Sequence, residues 1–216
     1  MLTFAVPATT LRTRDADRTR QVLLQAATDE FASAGLGGAR MDNIGARAGV
    51  NKRLIYYYFG NKETLFLAVL ENAYAGIREA EMALHLQDHA PEAAIRRLVE
   101  FTWQYYLVHP EFLTLINSEN LHSARHLAAL ERIQEMNSPL IQLLGDVLER
   151  GRKSGLFRGG VDPMQLYISI ASLAYFYLSN NPTLSTIFGR DLLAPAALSE
   201  RLSHITEVVM GYVLKR

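Results

Sequence analysis

Two small groups of residues in this 216-residue chain have the types and spacing to do chemistry. The first is Lys52, Arg53 and Tyr57, inside the run from Met41 to Lys62, MDNIGARAGVNKRLIYYYFGNK. An Arg can donate two parallel hydrogen bonds to guanine O6 and N7, and a Lys reaches the same acceptors. A Tyr packs on a thymine methyl or donates to a phosphate oxygen, a contact that mostly fixes register. Such side chains read base edges when they stand on the first turn of a short helix that enters the major groove. The second group is Glu119, His122 and His126. Glu-x-x-His is half of a di-iron bundle signature, but those sites need two copies plus further glutamates, and the chain holds no second copy. Three readings of this group stay open: a lone metal, the polar wall of a small-molecule pocket, or plain interhelix hydrogen bonding. His85 and His89 also stand four apart, with no third ligand evident beside them.

Positioning Lys52, Arg53 and Tyr57 requires two short helices and a tight turn. Met41, Ile44, Ala48 and Val50 recur at helical spacing and give the first helix one apolar face. Gly49 stands where that helix must stop with positive φ, and Asn51 follows as the N-cap of the next. The second helix, Lys52 to Phe59, turns Leu54, Ile55, Tyr58 and Phe59 toward a core, and Gly60-Asn61 supply another stop and cap. The candidate DNA contacts are Arg40, Asp42, Lys52, Arg53, Tyr56, Tyr57, Tyr58 and Lys62. On pattern alone, a helical hairpin with a solvated basic edge competes with this reading.

The stretch GVNKRLIYYYFGNKETLFLAVL closely resembles the DNA-binding signature of the tetracycline-repressor (TetR) family. Gly49, Val50, Ile55, Tyr56, Tyr57, Phe59, Lys62, Glu63 and Leu65 occupy matching positions. Upstream, Val22, Leu23, Ala26, Ala27, Phe31 and Gly35 extend the resemblance to about residues 18–72. Two departures stand out. Ala39 replaces the Thr usual before the second helix, which leaves that helix without a side-chain cap unless Asp42 or the glycines compensate. Arg53 and Leu54 replace the small residues common early in the recognition helix, which implies an operator preference of its own.

Composition is consistent with a folded regulator. Half the chain is hydrophobic (49%), cysteine is absent, and net charge is zero. Together these exclude wholesale disorder and a disulfide framework. The zero divides unevenly: residues 1–60 carry eight basic against five acidic side chains, and the remainder fourteen against seventeen. A basic reading head on an acidic body follows. The boundaries expected are a flexible arm over 1–14, in which Arg12 and Arg14 are candidate groove or phosphate contacts, a helix-turn-helix domain over 15–61, and a helical effector-binding and dimerisation domain over 62–216. The start has no basic n-region and no long apolar core, so it does not read as a secretory signal.

Beyond the motif the chain reads as all-α. Helices are expected over Asp15–Ala34, ended by Gly35; Lys62 to about Leu86; residues 91–108; and onward from Pro110. Patterning then continues from Leu127 to Met136, with Pro139 as a restart. Asp162-Pro163 form a cap and first helical residue. Pro163 to Gly189 carries no charge, yet Met164 to Leu178 is only 15 residues, short of the ~20 a membrane span needs. That helix and the last, Ala196 to about Leu214, are expected to pair with their copies as a four-helix dimer interface through Leu173, Phe176, Tyr177, Leu202, Ile205 and Val209. Candidate effector contacts are Trp103, Tyr106, Phe112, Asn120, His122, Tyr167 and Phe176; for each, core packing is an equal alternative. No metal or other cofactor is expected.

The expected function is a cytoplasmic, homodimeric transcription regulator, a repressor that binds a palindromic or near-palindromic operator. The family resemblance implies release by a small-molecule effector. Two alternatives belong to other classes: a helical metal-dependent enzyme using Glu119, His122 and His126, and a dimeric adaptor whose helix-turn-helix binds protein.

Overall fold

The computed structural model describes residues 8–130 and 133–215, with the side chains of 8–14, 134 and 137 outside that description. The expected contacts of Arg12 and Arg14 and the chain before Ala8 fall outside it, whereas residues 8–14, expected in a flexible arm, are helical and lengthen the first helix, expected from Asp15. Among the described residues the chain forms ten α-helices and no β-strand: α1 (Ala8–Gly38), α2 (Met41–Ala48), α3 (Lys52–Phe59), α4 (Lys62–Met82), α5 (Pro91–Val108), α6 (Pro110–Leu121), α7 (Ile133–Lys153), α8 (Pro163–Ser179), α9 (Asn181–Phe188) and α10 (Pro195–Val213). They divide into two compact units, Met1–Ala73 with Leu115–Leu130, and Tyr74–Thr114 with Glu131–Arg216. The boundary expected at 61/62 thus lies inside the first unit.

In the first unit, Leu23, Ala27 and Phe31 recur along one face of α1 and are buried against Ile44, Ile55, Phe59, Phe66 and Val69. Phe31 meets Phe66 edge-on at 5.0 Å between centroids, an arrangement worth about 0.5–1.5 kcal/mol beyond area burial. Gly35 breaks α1 with φ 66° and ψ 172°, as its sequence position predicts. The head also recruits Leu115–Leu130. Leu115 is buried in its core, and the His126 ring stands edge-on to Phe66 at 5.1 Å.

In the second unit α5 packs against α7, α8 and α10. Leu98, Trp103, Leu144, Val147, Ile170, Ile205, Val209 and Val213 form its buried centre. Asp162 caps α8 as expected, accepting from the Gln165 N–H at 2.8 Å with Pro163 in the first turn. Two of these helical expectations need correcting, and one further helix was not expected. Pro139 does not restart a helix but lies inside α7, which runs unbroken to Lys153. α4 ends at Met82, short of Leu86, and His85 follows with φ 48°. The segment after α8 forms a further helix, α9, with Pro182 in its first turn and Gly189 in left-handed conformation at its end. No helix among the described residues is long and apolar enough to cross a membrane.

The end of α7 depends on one missing side chain. A Cβ on the buried Gly151 would collide with the ring of Phe157, which is itself only 2% exposed and has nowhere to turn. Gly151→Ala should therefore lower stability by about 1–3 kcal/mol, read as a reduced urea midpoint at unchanged slope.

Candidate nucleic-acid interface

Helices of eight residues are too short to persist alone, so α2 and α3 must be held from behind. The turn between them is built as the sequence predicts. Gly49 is left-handed (φ 67°, ψ 28°), its N–H donates to the Ala46 carbonyl, and the Val50 N–H donates to the Gly45 carbonyl at 2.9 Å. The Asn51 side chain accepts from the Arg53 N–H at 2.9 Å, capping α3. Asn61 and Thr64 cap α4 reciprocally: Asn61 Oδ1 accepts from the Thr64 N–H at 2.9 Å, and Thr64 Oγ1 from the Asn61 N–H at 3.0 Å.

Two residues outside the expected set hold this arrangement. Gly45, buried inside α2, lets the helices approach closely, for a Cβ there would lie 2.9 Å from the Val50 carbonyl oxygen. Glu30 on α1 is 2% exposed and takes the place of the missing Ala39 side-chain cap. Its Oε1 accepts from the Arg40 N–H at 3.1 Å and from Asn43 Nδ2 at 2.8 Å, while Oε2 faces Arg47 Nε at 3.4 Å. Burial alone raises the pKa of that carboxyl, but the donors from Arg40, Asn43 and Arg47 outweigh it and hold the carboxyl below its usual 4.5. Each had a sequence signal: a glycine within an amphipathic helix, and an acid on the apolar stripe of α1.

With α3 held by buried Ile55 and Phe59, its other face is open. Tyr57 is 82% exposed and Tyr56 46%, Lys52 and Arg53 are exposed, and Tyr58 is half-buried against Tyr57. Arg40 and Asp42 are exposed at the start of α2. Lys52 Nζ pairs with Asp42 Oδ1 at 2.9 Å across the two helices, and that hydrogen bond and charge raise the lysine's pKa. Lys62 is turned inward, its ammonium donating to the carbonyls of Gly37 and Ala39 at 3.4 and 3.2 Å, so it clamps the α1–α2 connection.

The Glu119 group is closed to a metal by its own hydrogen bonds. Glu119 Oε1 accepts from the His126 and Leu127 N–H groups at 2.8 and 3.0 Å, and Oε2 lies 2.7 Å from His126 Nδ1. His122 Nδ1 faces the Ser118 carbonyl at 2.7 Å. Burial raises the Glu119 pKa, but these donors prevail and lower it. Among the described residues, no three His, Asp or Glu side chains gather as a metal site. Of the effector candidates, Trp103, Tyr106 and Phe112 are buried. Tyr106 stacks on Phe112 at 5.9 Å, Trp103 meets Tyr177 at 5.7 Å, and the Tyr167 hydroxyl bonds Arg78 and Glu81. Phe176 is 56% exposed, and Asn120 and His122 belong to the first unit. Of the six dimer candidates, Ile205 and Val209 are 1% and 2% exposed within the chain's own core, where α10 packs on α5 and α8. Val209 also lines the floor of a groove between α8 and α10.

Glu30→Gln should lower stability at pH 7 by about 1–2 kcal/mol, the difference between charged and neutral acceptors. Because the folded pKa is depressed, the advantage of Glu30 is complete above about 4.5 and is lost as pH falls through the folded value. Urea titrations of both proteins across that range should converge at the acid end.

Comparison with known proteins agrees with this geometry. Residues 23–69 match the family described as "Bacterial regulatory proteins, tetR family", and residues 91–209 match "Tetracyclin repressor-like, C-terminal domain". The chain is 41% identical over 202 residues to the HTH-type transcriptional repressor NicS of Pseudomonas putida, covering 94% of this chain and 95% of that one. It is 27% identical over 220 residues to the HTH-type transcriptional regulator RutR of Escherichia coli, covering 98% of each. A TetR family transcription regulator from Marinobacter aquaeolei shares the fold with a TM-score of 0.69 at 20% identity, over 95% of this chain and 100% of that one. The chain therefore belongs to the TetR family and is a DNA-binding transcriptional repressor.

Proposed function

We propose that the protein represses transcription as a homodimer on a palindromic or near-palindromic operator in the cytoplasm, and that a small molecule entering the helical body releases it. The observation that carries the DNA contact is the outward face of α3, where Arg53 and Tyr57 are exposed and unengaged by the core. Arg53 reads a base edge with Lys52 beside it, Tyr56, Tyr57 and Arg40 touch backbone or methyl groups, and Asp42 sets the direction of Lys52. Tyr58 and Lys62 act from behind, one packed against its neighbour ring and the other clamping the turn. Two heads related by a two-fold axis enter major grooves one helical turn apart or a multiple, about 34–36 Å per turn.

The dimer forms through α8 and α10. Phe176, Ile168, Val208 and Tyr212 are between 43% and 56% exposed, and a groove of about 200 Å³ lined by Leu173, Val208 and Tyr212 lies between the two helices. Half-buried Leu173, Tyr177 and Leu202 frame this face. An effector that fits one head spacing better than another shifts the population toward it. A coupling of about 1–3 kcal/mol changes operator affinity 5- to 150-fold.

Selection of bound fragments from genomic DNA gives the operator on which two outcomes are expected. Arg53→Ala loses about 1–3 kcal/mol on that duplex and relaxes the choice of base at one position in each half-site. Equal weakening on all sequences would assign Arg53 to phosphate alone. Phe176→Glu places a charge in the dimer face, and sedimentation should show a folded monomer with sharply reduced operator affinity; an unchanged dimer removes this face from the proposal.

A further inference from the structure

The second unit contains a charged cluster that its packing does not explain. Arg78 and Glu81, on α4, are 9% and 0% exposed. Arg78 Nη1 donates to Glu81 Oε2 at 2.5 Å and Nη2 to the Tyr167 hydroxyl at 2.7 Å, and that hydroxyl donates to Glu81 Oε1 at 3.2 Å. Arg78 Nε is buried with no hydrogen-bond partner. A buried ion pair adds little net stability compared with apolar packing, and an idle buried donor costs free energy outright. Packing alone does not account for such a cluster.

The idle atom identifies the ligand class. A guanidinium grips a carboxylate side-on through two parallel N–H groups, Nε and the neighbouring Nη. On that edge of Arg78, one donor has no partner and the other holds a neutral hydroxyl, which exchanges more readily than a carboxylate. Tyr106 from α5 lies close enough to Arg78, Glu81 and Tyr167 for all three to act on its ionisation, and its ring stacks on Phe112. We propose that Arg78 seats the carboxylate of a flat aromatic acid on its Nε–Nη2 edge, displacing the Tyr167 hydroxyl, with the acid's ring against Tyr106 and Phe112. The inference rests on the effector-released reading above and gives the effector its chemical class.

Glu81 completes the charge balance. Two carboxylates on one guanidinium leave a buried negative charge, and Glu81 removes it by taking up a proton. Burial already pushes its pKa up to about 7 against the opposing pull of Arg78 and Tyr167. The titratable groups acting with it are Arg78 on its own helix, Tyr167 from α8, and Tyr105 and Tyr106 from α5. Since the bound acid raises that pKa further, binding takes up one proton above about 7, and affinity falls about tenfold per pH unit there while staying flat below.

The test is calorimetric titration of the full chain, without DNA, with benzoate, benzamide and inorganic phosphate between pH 6 and 8.5. Benzoate should bind at millimolar concentration or tighter, benzamide at least about tenfold more weakly, and phosphate should not compete. Arg78→Gln should lose about 10- to 100-fold in benzoate affinity. Glu81→Gln should keep it and abolish the pH dependence. Absence of benzoate binding at about 10 mM and pH 6 overturns the proposal, as does equal binding of benzamide or phosphate. If Arg78→Gln does not fold, the Glu81→Gln profile decides, and an unchanged alkaline slope overturns it. Operator selection stands apart: a chain that reads its operator but ignores benzoate keeps the repressor reading and loses this one.

Discussion

The close crossing of α2 and α3 is the constraint on which the reading head depends. Neither helix has enough backbone hydrogen bonds to hold itself, so the direction of Arg53 and Tyr57 is set entirely by what lies behind them. Gly45 supplies the missing Cβ that lets the Val50 carbonyl approach, and Glu30 ties the start of α2 to α1 through a backbone N–H and two side chains. Ile55 and Phe59 then lock α3 onto a core shared with α1 and α4. The placement of Arg53 and Tyr57 is therefore a tertiary property, though α2 and α3 are neighbours in sequence.

A carboxylate recurs as the buried organiser of the chain. Glu30 caps α2 from outside that helix, Glu119 caps the turn at His126 and Leu127, and Glu81 faces Arg78 and Tyr167. The first two are surrounded by enough donors to stay ionised, with lowered pKa values. The third has one cation and one hydroxyl, and burial wins. The same residue type thus acts structurally in the head and stands poised to change protonation state in the body, the difference being the number of donors within reach.

Much of the head was legible in the sequence because its signals are local. Gly49, Asn51, Gly60 and Asn61 name their own backbone conformations, and the stripe of Leu23, Ala27 and Phe31 needs only helical spacing to be found. Glu30 and Gly45 were harder because their roles depend on partners 10 and 5 residues away that only the fold brings close. In the body, periodicity located α5, α8 and α10, but it could not say which stripe faces inward: Ile205 and Val209 fill the chain's own core and Val208 does not. Pro139 read as a boundary because proline removes one helical hydrogen bond, whereas α7 is long enough to continue across it. Arg78 and Glu81 carried no local signal, since their significance is that both are buried.

Paired duplexes in a salt series test most directly whether a rigid, basic helix face reads base sequence. The full chain is titrated onto its selected operator and onto a scrambled duplex of equal composition. Affinity should fall with salt on both, and the ratio between them should remain at about a thousandfold or more at physiological salt. Equal affinity for the two duplexes at that salt would contradict the account.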